Sequence, residues 1–225
     1  FRPDHTMTRT EAVQWIRHLT LQGMMKIKQR PADPTDPSLL PDLSVNDAEA
    51  IPLFSSVSLS SRGLDLLGTQ SFPRVEFGAS KSSIDPLFGV SEEKDIFDKY
   101  IYPLFSAHYN EDGRLDGWSA EHKYWEPATT GPMVKTNEDI VLGESTLFDV
   151  LRKYGTYGYK GEGIANYLYE KTKDGEFRPL TSVSYYSQIE NPDNAYSLSF
   201  IFDEDTLRVS HILAAWAPYS YSGNM

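Results

Sequence analysis

Residues 195–202, AYSLSFIF, alternate large apolar and small side chains along most of their length. A period of two over that length predicts a strand with one dry and one wet face. Tyr196, Leu198, Phe200 and Phe202 point one way, and Ser197, Ser199 and Asp203 the other. Such a strand needs neighbours to pair with and a layer to cover its dry face. Three turn signals lie around it: Asp174-Gly175, Asn191-Pro192-Asp193-Asn194 and Glu204-Asp205-Thr206. They cut the chain into four strand-sized pieces, about 164–172, 176–189, 195–203 and 207–216, and predict an antiparallel meander.

The cover is written just upstream. Thr146-x-x-Asp149 has capping-box spacing, and Leu147, Val150, Leu151 and Tyr154 form an i, i+3, i+4, i+7 stripe that Gly155 ends. Residues 138–217 therefore predict a short helix on a four-stranded sheet, with Leu147, Val150, Leu151, Leu198, Phe200 and Phe202 in one core.

The same plan is sketched earlier in the chain. VEFGASKSSIDPLFG (75–89) matches IVLGESTLFDVLRKYG (140–155) in its apolar pair, Gly, following Ser and aromatic-Gly ending. YNEDGRLDGWSAEHKYWEP (109–127) likewise echoes FDEDTLRVSHILAAWAP (202–218), with Asp112-Gly113 where the second copy has Asp205-Thr206 and a Trp-x-Pro closing each. Pro86 restricts the first helix to about one turn unless Ser83 is its cap. The expected fold is α+β: two tandem repeats of a short helix packed on an antiparallel sheet. The shortened first repeat spans 74–130, the second 138–217, and 218–225 form a tail.

Upstream, Thr8-x-x-Glu11 and the face Ala12, Trp15, Ile16, Leu19 predict a helix within a basic segment, 1–30, that Gly23 ends. Residues 31–73 read as a Pro-rich linker and irregular segment. Pro31, Pro34, Pro37, Pro41 and Pro52 forbid a long helix across 31–52, and 55–68 contain an edge-strand candidate.

LGESTLFDVLRKYG, followed by four strands and the late FDEDTLRV, resembles the SmpA/OmlA (BamE-like) envelope lipoprotein repeat and the related β-lactamase-inhibitor-protein-like repeats. The likeness covers about 138–217 and, more loosely, 74–127. Thr206 stands where that pattern has Gly, no Pro closely follows Gly155, and the first copy is short of a strand pair. The resemblance implies non-enzymatic proteins of the bacterial envelope, often lipid-anchored, that present helix and sheet surfaces to other proteins. In one branch, the concavity between two tandem repeats inhibits an enzyme.

The chain of 225 residues lacks cysteine and carries a net charge of −11. Disulfides, thiolate metal sites and cysteine nucleophiles are thereby excluded. Six Lys or Arg lie in residues 1–30 against Asp4 and Glu11, a sparse patch, and the acidic remainder argues against nucleic acid. No apolar run is long enough to span a bilayer as a helix. The expected location is periplasmic or outer-membrane-anchored, with a lost lipid anchor giving peripheral membrane association; a cytoplasmic place stays open.

No nucleophile elbow, phosphate loop, dinucleotide fingerprint or His-Glu-x-x-His motif occurs. Ser91-Glu92-Glu93-Lys94 has Ser-x-x-Lys spacing but reads as a solvated surface. His108 and His122 approach one another if the Asp112-Gly113 hairpin forms, with Glu111 and Glu121 nearby; the ordinary reading is surface, so no metal or cofactor is assigned. His211 reads as a half-buried strand residue.

The aromatic residues carry the functional expectation. Trp118, Trp125, Tyr186 and Trp216, with Glu121 at the rim, are the candidate binding residues of an aromatic sheet surface offered to a protein partner, as an inhibitor or immunity protein would offer it. The alternative is a glycan-binding or glycan-cleaving protein that stacks sugars on the same platform and draws a carboxylate pair from Glu121, Asp116, Asp203 and Asp205.

Overall fold

The structure, a computed structural model, describes residues 56–122, 131–161, 163–181 and 186–221. The expected basic helix, the loop 31–52 and Trp125 lie outside the described residues. The fold is α+β, with three helices among the described residues and mostly antiparallel sheet.

In chain order the elements are β1 (Leu67–Gly68), α1 (Lys81–Phe88), β2 (Tyr100–Ile101), β3 (Ser106–Tyr109), β4 (Leu115–Glu121), β5 (Val134–Lys135), α2 (Leu147–Tyr154), β6 (Tyr159–Gly161), β7 (Ile164–Lys171), β8 (Phe177–Pro179), β9 (Ala195–Phe202), β10 (Val209–Trp216) and α3 (Ala217–Tyr221). Eight strands form one sheet in the order β2-β3-β4-β10-β9-β7-β6, with β8 paired to β7 off that path. β1 and β5 make a separate two-stranded ribbon.

α2 forms as its sequence predicts. The Asp149 carboxylate accepts from the Thr146 backbone N–H at 2.7 Å, and the Thr146 hydroxyl accepts from the Asp149 N–H at 3.4 Å. Gly155 closes the helix at φ 84°, its N–H donating to the Leu151 carbonyl. Leu147, Val150 and Leu151 are buried with Leu198, Phe200 and Phe202 in the same core. Burial of each such side chain contributes about 1.5–3 kcal/mol.

α1 is longer than Pro86 suggested. It runs for eight residues with Pro86 inside it and Ser80, not Ser83, at its N-cap. A proline there costs about 3 kcal/mol, and tertiary contacts offset it: Ile84 is buried, and Phe88 meets Phe72 at 5.1 Å and Phe105 at 5.0 Å. Asp85 accepts from Lys81 at 2.8 Å and from the Tyr102 hydroxyl at 2.7 Å.

The simple meander is corrected in one place. Among the described residues of 176–189, only Phe177–Pro179 is strand, and β9 pairs with β7 rather than with its predecessor β8. Pro179 ends β8, and 3-10 turns at Tyr186–Gln188 and Pro192–Asn194 carry the chain round to β9. The edge strand β6 replaces the missing piece. Within 55–68, Leu59 exchanges backbone hydrogen bonds with Phe177. Residues 218–221 belong to a helix folded against the sheet, with Tyr219 buried, rather than to a free tail.

The hairpins β3–β4 and β9–β10 share several details. Ser80, before α1, bridges Arg114, and Thr146, before α2, bridges Arg208. The residues ahead of those arginines, Gly113 at φ 69° and Leu207 at φ 56°, are both left-handed. Asn110 N–H donates to the Arg114 carbonyl at 2.9 Å, and Asp203 N–H to the Arg208 carbonyl at 2.8 Å. Each hairpin carries a register shift just after its turn, beside Asp116 in one and Ser210 in the other. The strands that follow pair with one another, β4 antiparallel to β10.

Candidate functional site

Side chains on the α1/α2 face of the sheet are large: Trp118, Ile212, Leu198, Phe200 and Tyr167 are all buried. The opposite face is built of smaller groups. Ser119 on β4, Leu213 on β10, Ser199 on β9 and Asn166 on β7 are each half-buried, with Ile201 and His211 beside them. Ser199 Oγ donates to Asn166 Oδ1 at 3.1 Å, and Lys99 Nζ donates to Ser119 Oγ at 3.0 Å. Lys99 is buried, and desolvation lowers its pKa, opposed by Asp95 at 3.9 Å.

Among the described residues, this face is covered chiefly at one end, by α3 and the loop at 95–99. Tyr219 stacks on the His108 ring with centroids 3.8 Å apart, and its hydroxyl donates to the Phe97 carbonyl at 2.8 Å. Burial raises its pKa. Tyr221 stacks on Tyr186 at 4.6 Å and accepts from Asn166 at 2.9 Å. His108 Nδ1 lies 2.5 Å from Asp116 Oδ1, so the bulge residue of β4 fixes the ring's orientation.

The covered end opens into a groove of about 940 Å³ that passes round the ends of β4, β9 and β10. Phe77, Tyr196 and Trp216 supply apolar wall, and Glu111, Asp112 and Asp116 supply carboxylates. Tyr196 is held edge-on between Phe77 at 5.8 Å and Phe177 at 5.2 Å. Trp216 Nε1 donates to the Asp193 carbonyl at 2.9 Å. Tyr109, also in the wall, has its pKa pushed up to about 12, chiefly by burial.

The expected platform is thus divided. Trp118 is a core residue, 2% exposed, with its Nε1 donating to the Leu64 carbonyl at 2.8 Å; it has no surface to offer a partner. Trp216 and Tyr186 are half-buried in different surroundings, the groove wall and the α3 contact. Glu121 is exposed and lies 3.4 Å from His211 Nε2.

Of the four acids considered for a catalytic pair, only Asp116 lines the groove, and it is engaged by His108. Asp203 accepts from the Thr206 amide and hydroxyl within its own turn. Glu121 and Asp205 are both exposed. His108 and His122 do not meet: His108 is opposite Gly117, whereas His122 packs against Gly143. Among the described residues, no three His, Asp or Glu side chains are grouped to hold a metal.

Sequence reasoning missed the His108–Asp116 pair and the groove. The signal for the pair was the His-x₇-Asp spacing across the Asp112-Gly113 turn, which becomes a contact only through the bulge. Searches of the chain against protein-family models, curated proteins and solved structures each gave no match.

Proposed function

We propose that the chain is a pair of tandem copies of one α+β unit and acts by binding another protein on the sheet face that α1 and α2 leave uncovered. The copies are supported by the shared N-cap bridges, left-handed turn residues and bulges. A shift of 94 residues carries Leu115 to Val209. Under that shift the antiparallel β4–β10 ladder is centred on Ser119–Leu213.

The observation that carries the binding reading is that, among the described residues, this face is covered chiefly at one end. Away from the covered end it is lined by the half-buried Leu213, Ser199 and Ile201, so a partner's bulky groups can approach the strands there. The likeness to envelope lipoprotein and inhibitor repeats supports a partner in the bacterial envelope, with the chain held in the periplasm or at the outer membrane. Glycan cleavage has less support, because the acids it would use are dispersed.

The reading is tested by capture from native envelope with the full chain and with Ser199→Arg and Leu213→Arg variants, whose new side chains stand on the face. One protein should be retained by the parent and by a Glu144→Lys control, and lost with both face variants. Equal capture by all of them would exclude this face as the interface.

A further inference from the structure

The groove occupies a place that the second unit closes. The shift of 94 residues that carries β4 onto β10 carries His122 onto Trp216, and Gly143 stands before α2 as Gly78 stands before α1. Both glycines are left-handed, at φ 81° and 93°. At Gly143 an added Cβ would lie 2.9 Å from the His122 ring; at Gly78 nothing lies within 4 Å. Trp216 is instead drawn aside by its bond to the Asp193 carbonyl, and Gly78 and Trp216 both line open groove. One end of the sheet is plugged by a ring, and its counterpart is open, aromatic and ringed with charge.

The state of that charge decides what fits. Asp116 is bonded to His108 and Asp98 to Lys94 at 2.7 Å. Arg114 donates to the Gly78 carbonyl, and Lys171 lies 5.7 Å from the Phe177 ring centroid. Asn110 Oδ1 accepts from the Asp112 and Arg114 amides. The carboxylates of Glu111 and Asp112 remain, both exposed and in no ion pair with a described residue. A polyhydroxyl ligand would find most of the side chains here already engaged with partners. A cation on an apolar stem would find an indole wall and two carboxylates.

We propose that this groove takes an extended peptide segment bearing Lys or Arg, its aliphatic stem along Trp216 and its charge beside Glu111 and Asp112. This deepens the protein-binding reading and rests on it. A groove of about 940 Å³ lies at the upper end of the range for small-molecule pockets, roughly 300–1,000 Å³.

The test titrates the full chain with four capped pentapeptides, Gly-X-Gly-X-Gly with X as Arg, Lys, Gln or Glu, and with a chitin oligosaccharide, followed by calorimetry. The Arg and Lys peptides should bind, and the Gln and Glu peptides and the sugar should not. Binding should weaken about tenfold in the Glu111→Gln/Asp112→Asn variant and in Trp216→Ala, and fall as salt is raised. The turn variant changes only exposed side chains, so its result stands even if Trp216→Ala folds poorly. Equal binding of the Gln and Arg peptides, indifference to the turn variant, preference for the sugar, or no binding by any probe overturns the proposal. Partner capture that needs Ser199 and Leu213 but tolerates the turn variant would uphold the protein-binding reading and reject the groove as its site.

Discussion

Ser119 on β4 and Leu213 on β10 face each other across the seam of the sheet. Both side chains are half-buried on the uncovered face. The chain has no cysteine, so Ser119→Cys with Leu213→Cys introduces a single possible disulfide. Facing strand residues have Cβ atoms about 4.5–5.5 Å apart, within bridging range after small adjustment. Oxidation should cross-link the folded protein and raise its stability by up to about 4 kcal/mol, because the bridge closes a long loop. Free thiols by mass spectrometry under native oxidation would mean that the strands do not meet in this register.

The two tryptophans should separate in a stability measurement. Trp118→Ala removes a buried indole and leaves the Leu64 carbonyl unpaired, at a cost of about 3–5 kcal/mol. Trp216→Ala, on the groove wall, should cost about 1 kcal/mol or less. Urea unfolding of both variants checks the order, and equal costs would place Trp216 in the core.

Thr146 caps α2 and also bridges Arg208, so it ties the helix to the turn before β10. Thr146→Ala should cost about 0.5–2 kcal/mol. Thr146→Ser should recover most of that, which distinguishes lost capping from lost packing.

Alkaline pH should unfold the chain through its buried phenols. Burial raises the pKa values of Tyr102, Tyr154 and Tyr167, and that of Tyr109 to about 12. The folded state thus holds these protons more tightly than the unfolded state. Their contribution is fully present below the ordinary tyrosine value of about 10 and is lost as pH rises beyond it. Tyrosinate absorbance from these residues should appear together with loss of structure; its appearance in a still-folded protein would contradict their burial.

α2 was legible because its cap, stripe and stop are local, and each lies within a few residues of the next. The alternation of β9 was legible for the same reason, since Leu198, Phe200 and Phe202 declare their face without knowledge of any partner. Trp118 was not. Its face depends on the bulge at Asp116 and on which side α1 and α2 lie, and neither is written near it. The Trp-x-Pro echo sets Trp216 against Trp125, which lies outside the described residues. The left-handed residue of the turn before β10 is Leu207, a residue no turn rule would choose. The groove escaped notice because it joins residues from Phe77 to Tyr219, and no local pattern spans that distance.

The order of the sheet has a consequence for how the molecule is made. β10 is synthesised after every other strand described, yet it lies between β4 and β9 in the middle of the sheet. Until it emerges, β4 and β9 each present an unpaired edge, and the strands β2–β4 share no ladder with β6–β9. Their joining must await a contact between segments about 94 residues apart, the kind of distant pairing that slows folding and leaves edges open to wrong partners. A nascent chain stalled before residue 209 would therefore carry two half-sheets with raw edges, and it is at that stage that the protein should be most dependent on chaperones.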